Sequence, residues 1–173
     1  MEPVRDHELK AFFSHVIRVL ERLDIPYMVV GGFAAILYGQ PRLTIDVDVV
    51  VDMEADQIEP FVAAFPIPDY YVSEEAVRDS LRRRYLFNVI QPTTGAKVDL
   101  IPLPRDRFTR EAFQRRQRVT YDQEGHMATF MAAEDVVVAK LRAYEETESD
   151  RHLRDAESVL VMQWGELDLE LMR

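Results

Sequence analysis

Apolar residues near the start of the chain recur at three- and four-residue steps: Leu9, Phe12, Phe13, Val16, Val19, Leu20 and Leu23. That is the period of one face of an α-helix, and it predicts an amphipathic helix over residues 6–23. Pro26 stops it, and Tyr27-Met28-Val29-Val30 reads as a short buried strand. Gly31-Gly32 breaks the strand and opens a second helix through about Tyr38, which Gly39 and Pro41 end. From Leu43 to Val51 the period drops to two. Ile45, Val47, Val49 and Val51 share one face of a strand, and Thr44, Asp46 and Asp48 share the other.

Helices follow at about 54–65 and 73–83, the second with Ser73 as its cap. Tyr85 to Gln91, a turn at Thr94-Gly95, and Lys97 to Leu103 read as a hairpin. Beyond it lie a short helix near 106–114, a strand pair around Glu124-Gly125, and helices at about 133–146 and 150–163. The mixed order predicts an α/β (α+β) fold: a mixed sheet of four or five strands, flanking helices and a C-terminal helical cap. No repeat or linker rich in Gly, Ser or Pro divides the chain. One domain over 1–173 is therefore expected, with its core at about 25–131 and its helical tail at about 132–173.

Composition narrows what this fold can do. A chain of 173 residues, 47% hydrophobic, can bury a substantial core without staples. It has no cysteine, which excludes disulfides, thiolate metal sites and thiol catalysis. The charged, helical N-terminus resembles neither a signal peptide nor a membrane span, so a cytoplasmic protein with no membrane partner is expected. A net charge of −10 argues against nonspecific coating of nucleic acid. Yet residues 78–118 carry eleven basic and four acidic side chains, including Arg82-Arg83-Arg84 and Arg115-Arg116. Arginine's planar fork suits phosphate, so this region is either a surface for an RNA or tRNA acceptor or a solvated helix face.

The candidate chemistry centres on Asp46-Val47-Asp48. Two carboxylates at i and i+2 on a strand share a face, with about 5–7 Å between their β-carbons. They repel one another, and a divalent cation removes that penalty. Oxygen ligands with no Cys or His nearby point to Mg²⁺ or Mn²⁺. The alternative is an edge strand with two solvated acids. Three companions favour the metal. Gly31-Gly32, at a strand-to-helix junction, offers bare backbone N–H groups to phosphate. Arg42, with Thr44, sits just before the acidic pair and is placed to meet a triphosphate. Asp99, within Lys97-Val98-Asp99-Leu100-Ile101, is a third acid on an apolar strand, as a two-metal phosphoryl-transfer site requires.

These three parts, GGFAAILYGQPRLTIDVDVVV followed by KVDLI, resemble the signature of the nucleotidyltransferases related to DNA polymerase β. Arginine and threonine before D-x-D are similar to the minimal nucleotidyltransferases and the abortive-infection-type toxin group. The likeness covers residues 27–103. In the tail, Ala133 to Lys140, then Arg151 and Asp155, resemble the helical region of the second group. The resemblance implies that Lys140 touches nucleotide phosphate and that Asp155 assists the base or a metal. It also implies transfer of NMP from an NTP such as ATP to an acceptor hydroxyl of RNA, a protein or a small molecule, with release of pyrophosphate. With the tail ending soon after Trp164, a longer acceptor-binding domain is expected to be missing.

Two rivals stand beside this reading. One is a catalytically silent nucleotide-binding or toxin–antitoxin module that meets an antitoxin or regulatory protein. The other is a sugar-nucleotide transferase using D-x-D, against which the Gly-Gly helix counts. His7, His15, His126 and His152 show no ligand spacing and are expected at the surface or in caps, while Trp164 and Tyr70-Tyr71 are expected to pack a core or an interface. No nucleophile elbow, Rossmann pattern or P-loop is present.

Overall fold

The computed structural model describes residues 2–42, 44 and 46–172, with side chains from residue 8 onward. Leu43 and Ile45, the predicted start of the acidic strand, lie outside the described residues. The chain forms two compact units, one of residues 1–28 and 45–110, the other of 29–44 and 111–173.

In the first unit, α1 (Glu2–Arg22) carries the predicted apolar face. Phe12, Phe13, Val16, Ile17 and Leu20 are all buried. Strand β1 (Tyr27–Val30) begins here, followed by β2 (Asp46–Val51). A 3₁₀ turn (Ala55–Gln57) leads into α3 (Ile58–Ala63), where one helix was expected at 54–65. Helix α4 (Glu74–Arg83) starts as predicted, with the Ser73 hydroxyl accepting from the Ala76 N–H at 3.2 Å. Strands β3 (Phe87–Gln91) and β4 (Ala96–Pro102) form the expected hairpin, turning at Gly95 with φ +71°. Strand β4 also runs parallel to β2, with Asp46 opposite Lys97, Asp48 opposite Asp99, and Val49 opposite Leu100. Burial of Val47, Val49 and Val51 on one face fixes this register, since a one-residue slip would move all three to the face that carries the acids.

In the second unit, Val29 of β1 pairs with Phe130 of β6 (Met127–Phe130), and β6 forms a hairpin with β5 (Gln117–Thr120). Helix α2 (Gly31–Tyr38) lacks any charged residue and packs against α6 (Ala133–Thr147) and α7 (Asp150–Met162). Gln40 N–H donates to the Ser158 hydroxyl at 2.6 Å and Gln163 Nε2 to the Tyr38 carbonyl at 2.9 Å, tying the end of α2 to α7. Helix α5 (Arg107–Arg115) precedes β5.

The strand order is β3-β4-β2-β1-β6-β5, a mixed sheet of six strands rather than four or five. The difference comes from β5 and β6. Both join the sheet, because β6 finds a parallel partner in β1, a pairing that local sequence does not reveal. Trp164, expected in a core or an interface, is 73% exposed and so lies outside the core. Tyr70 stacks on Phe12 and His15 as expected, whereas Tyr71 is 53% exposed. No helix among the described residues is long and apolar enough to cross a membrane.

Candidate functional site

Each unit carries its own group of predicted residues. In the first, the β2–β4 register sets Asp48 beside Asp99 and Asp46 beside Lys97 on one face of adjacent strands, about 4.8 Å apart. The three carboxylates differ in exposure. The Asp46 side chain is 59% exposed and Asp99 10%, with Asp48 between. Asp99 Oδ2 accepts from Lys97 Nζ at 2.8 Å, and the same ammonium lies 3.7 Å from Asp46 Oδ1. Asp99 Oδ1 is buried with no hydrogen-bond partner. An ionised oxygen held away from water without a donor is costly, so this atom calls for a cation or a hydroxyl. The Lys97 pKa is raised, first by its hydrogen bond to Asp99 and further by the charges of Asp99, Asp46 and Asp48. One ammonium thus feels all three acids.

The acids do not close to metal-ligand spacing around that ammonium. Among the described residues, the group whose ligand atoms all lie within 4.8 Å of one another is Asp122, Glu124 and His126, on the β5–β6 turn. That group could hold a metal ion. Its contacts are also those of an Asx-type turn. Asp122 Oδ1 accepts from the Glu124 and His126 N–H groups, and Oδ2 meets His126 Nδ1 at 2.6 Å. For Asp46, Asp48 and Asp99, the fit to Mg²⁺ or Mn²⁺ rests on an all-oxygen donor set, the orphaned Asp99 Oδ1 and the ammonium already among them.

In the second unit, Gly31 opens α2 with φ +68°, a conformation that disfavours any side chain. Gly32 is crowded differently. A β-carbon there would stand 3.1 Å from Arg42 Nη2, 3.2 Å from Thr44 Oγ1 and 3.7 Å from Arg151 Nη2. Two guanidinium groups and a hydroxyl therefore gather at the first turn of α2, the end where helix N–H groups favour anions. Arg42 grips Asp155 with two parallel bonds, Nε to Oδ1 and Nη2 to Oδ2, each 2.8 Å. Lys140 Nζ reaches the same Oδ2 at 2.8 Å. Asp155 and Lys140 are both buried. Burial alone would raise the Asp155 pKa, but the hydrogen bonds and charges of Arg42 and Lys140 outweigh it and hold the carboxyl below its usual value.

The helices explain this convergence. Lys140 in mid-α6 and Asp155 in α7 face each other across the α6–α7 hairpin, and Arg42 follows α2, which packs on both. The structure thus brings Gly32, Arg42 and Thr44 together, and Arg42, Lys140 and Asp155 together. Two residues escaped sequence reasoning. Lys97 shares the face of Asp99 by the same period-two rule that grouped the acids. His152 is neither a cap nor freely solvated: its Nδ1 is buried without a partner, and burial, then the nearby Lys140, depresses its pKa. Its position one turn before Asp155 was the available signal.

Most of the arginine-rich segment has internal partners. Arg78 pairs with Glu74, and Arg82 and Arg83 pair with Asp79. Arg84 donates to the Leu103 carbonyl, and Arg115 binds Asp135 at 2.6 and 3.1 Å. Arg116 lies 4.0 Å over the Phe113 ring. Arg82 and Arg83 nonetheless remain about 70% exposed.

No protein-family profile and no curated protein matches the sequence. Solved structures do match the fold. An antigenic nucleotidyltransferase-like protein from Paracoccidioides brasiliensis aligns with a TM-score of 0.56 and 20% identity, over 90% of this chain and 75% of that one. ANT(2″)-Ia, solved in complex with adenylyl-2″-tobramycin, aligns with a TM-score of 0.62 and 14% identity, over 96% and 92%. JHP933 from Helicobacter pylori aligns with a TM-score of 0.55 and 18% identity, over 95% and 69%. The chain has the nucleotidyltransferase fold.

Proposed function

We propose that the protein is a metal-dependent nucleotidyltransferase that moves NMP from an NTP to an acceptor hydroxyl and releases pyrophosphate. The observation that carries this reading is the buried, half-unsatisfied Asp99 beside Asp48 on parallel strands, within a fold shared with nucleotidyltransferase-like proteins. Asp46, Asp48 and Asp99 would hold Mg²⁺ or Mn²⁺, which would neutralise phosphate charge and make the acceptor hydroxyl more acidic. Gly31, Gly32, Arg42 and Thr44 would receive the triphosphate, and Asp155, itself paired with Lys140, would hold Arg42 in place. Asp99 would orient the acceptor hydroxyl and take its proton as the new phosphorus–oxygen bond forms and the bond to pyrophosphate breaks. Catalysis of this kind rests on positioning and charge, with little covalent work for the protein.

The acceptor is an RNA or tRNA end, a protein side chain or a small molecule, and the exposed Arg82 and Arg83 make RNA the first to test. One observation favours the silent alternative: Lys97 already satisfies one oxygen of Asp99. Pyrophosphate release from each NTP with Mg²⁺ and total cell RNA, compared with Asp99→Asn, separates the two. Transfer that disappears in the variant supports the enzyme. Equal rates in both proteins sink it.

A further inference from the structure

Lys97 pairs with two of the three acids, Asp46 and Asp99, and its placement has a cause in the strand itself. It lies two residues before Asp99, on the same face of β4, and opposite Asp46 on β2. Its ammonium is 2.8 Å from Asp99 Oδ2 and 3.7 Å from Asp46 Oδ1. A divalent cation bound by those oxygens would meet a positive charge at close range, and such like charges repel strongly at the edge of a protein interior. The Lys97 side chain is 39% exposed, so its flexible stem can carry the charge away without opening the core.

We propose that Lys97 is a resident counter-ion of the Asp46–Asp48–Asp99 group, which a divalent cation must displace to bind. This rests on the metal-site reading given above. The consequence is an order of binding. A bare cation gains the carboxylates only by leaving the ammonium without its anion. A cation that arrives with a nucleotide brings phosphate oxygens to which the ammonium can turn, so displacement then costs little. The arrangement couples metal affinity to nucleotide and offsets part of the repulsion among the acids while the site waits.

The test measures Mn²⁺ binding without catalysis, by the loss of free Mn²⁺ signal in electron paramagnetic resonance and by calorimetry. It is run with and without a non-hydrolysable NTP analogue. Lys97→Met removes the ammonium but keeps the stem, and Lys97→Gln serves as a second variant should Met disturb the fold. Arg18→Gln, an exposed cation on α1, controls for net charge. Without nucleotide, Lys97→Met should bind Mn²⁺ at least about tenfold more tightly than wild type, and Arg18→Gln within about twofold. The analogue should then tighten Mn²⁺ binding strongly in wild type and much less in Lys97→Met. If Lys97→Met and Lys97→Gln bind Mn²⁺ no better than wild type while Asp99→Asn loses it, the metal site stands and the counter-ion role is overturned. If no protein binds Mn²⁺ with or without nucleotide, the metal-site reading falls and the proposal falls with it.

Discussion

Asp48 and Asp99 are register partners on the parallel strands β2 and β4, yet Asp99 is buried and Asp48 is half-buried. Two like charges on one face, one of them with an unpartnered oxygen, are a poor arrangement for stability alone. Asp99→Asn removes an anion but keeps the shape. It should lower nucleotidyl transfer by at least about 100-fold and, measured without a divalent cation, leave NTP affinity within a few-fold, because metal and acceptor positioning act on the transition state. Steady-state pyrophosphate release and equilibrium binding of a fluorescent NTP check the two halves separately. The same variant should leave Lys97 closer to an ordinary lysine pKa, since the bond to Asp99 is the chief cause of its elevation.

The two glycines of α2 should respond differently to alanine. Gly31 has φ +68°, so Gly31→Ala should cost about 1–2 kcal/mol through backbone strain, read as a lower urea midpoint. At Gly32, the new methyl would stand 3.1 Å from Arg42 Nη2 and 3.2 Å from Thr44 Oγ1. Those groups must shift by a few tenths of an ångström. Because Arg42 is clamped to Asp155, the shift should weaken NTP binding more than it lowers the melting temperature.

What could be read in the sequence was local and periodic. Alternation along Asp46–Val51 and Lys97–Leu103 placed the acids on faces, and the three-four spacing in α1 named all of its buried residues but Ile17, with Leu9 and Leu23 only partly buried. Ser73, three residues before Ala76, announced its cap. What could not be read was which distant partner each group meets. Arg42 and Asp155 are 113 residues apart, and no local pattern says that the guanidinium makes two bonds to that carboxylate. The strand pair around Glu124-Gly125 was legible, but its place in the sheet was not, since β6 joins it through β1, about a hundred residues earlier. Lys97 was different. The period-two rule already places it on the face of Asp99, two residues earlier on the same strand.

The Asp155 cluster contributes to the behaviour of the fold in acid. The folded-state pKa of Asp155 is depressed, so its stabilisation is complete above the ordinary carboxylate value and is lost as pH falls through the folded value. The His152 pKa is also depressed. The unfolded chain therefore takes the proton first, and stability starts to fall below about pH 6.5. Urea midpoints measured from pH 8 to pH 3 should show both limbs, and His152→Gln should flatten only the upper one. Asp155→Asn should cost about 3 kcal/mol at neutral pH, because Lys140 is left buried beside a neutral amide. That is the low end for a broken buried pair, since Arg42 is 27% exposed and water can reach it. An unchanged midpoint in Asp155→Asn would show that the cluster adds nothing to the fold.

Arg42→Ala tests whether the second unit receives phosphate. The variant deletes one of two cations on Asp155, and Lys140 still balances that carboxylate at 2.8 Å, so the fold should survive. If Arg42 meets the triphosphate, NTP binding should weaken by about 1.5–3 kcal/mol through a lost charge-assisted hydrogen bond. Arg42→Lys should not restore it, because an ammonium cannot bond Asp155 with two parallel arms and still present a donor at Gly32. Binding of labelled ATP, GTP, CTP and UTP with Mg²⁺ gives the measurement for all three proteins. A silent module would show this loss while Asp99→Asn changes no rate, and an enzyme would show both. If Arg42→Ala binds every NTP as wild type does, Arg42 belongs to the framework of α2 and α7 alone, and the triphosphate must find its cations elsewhere.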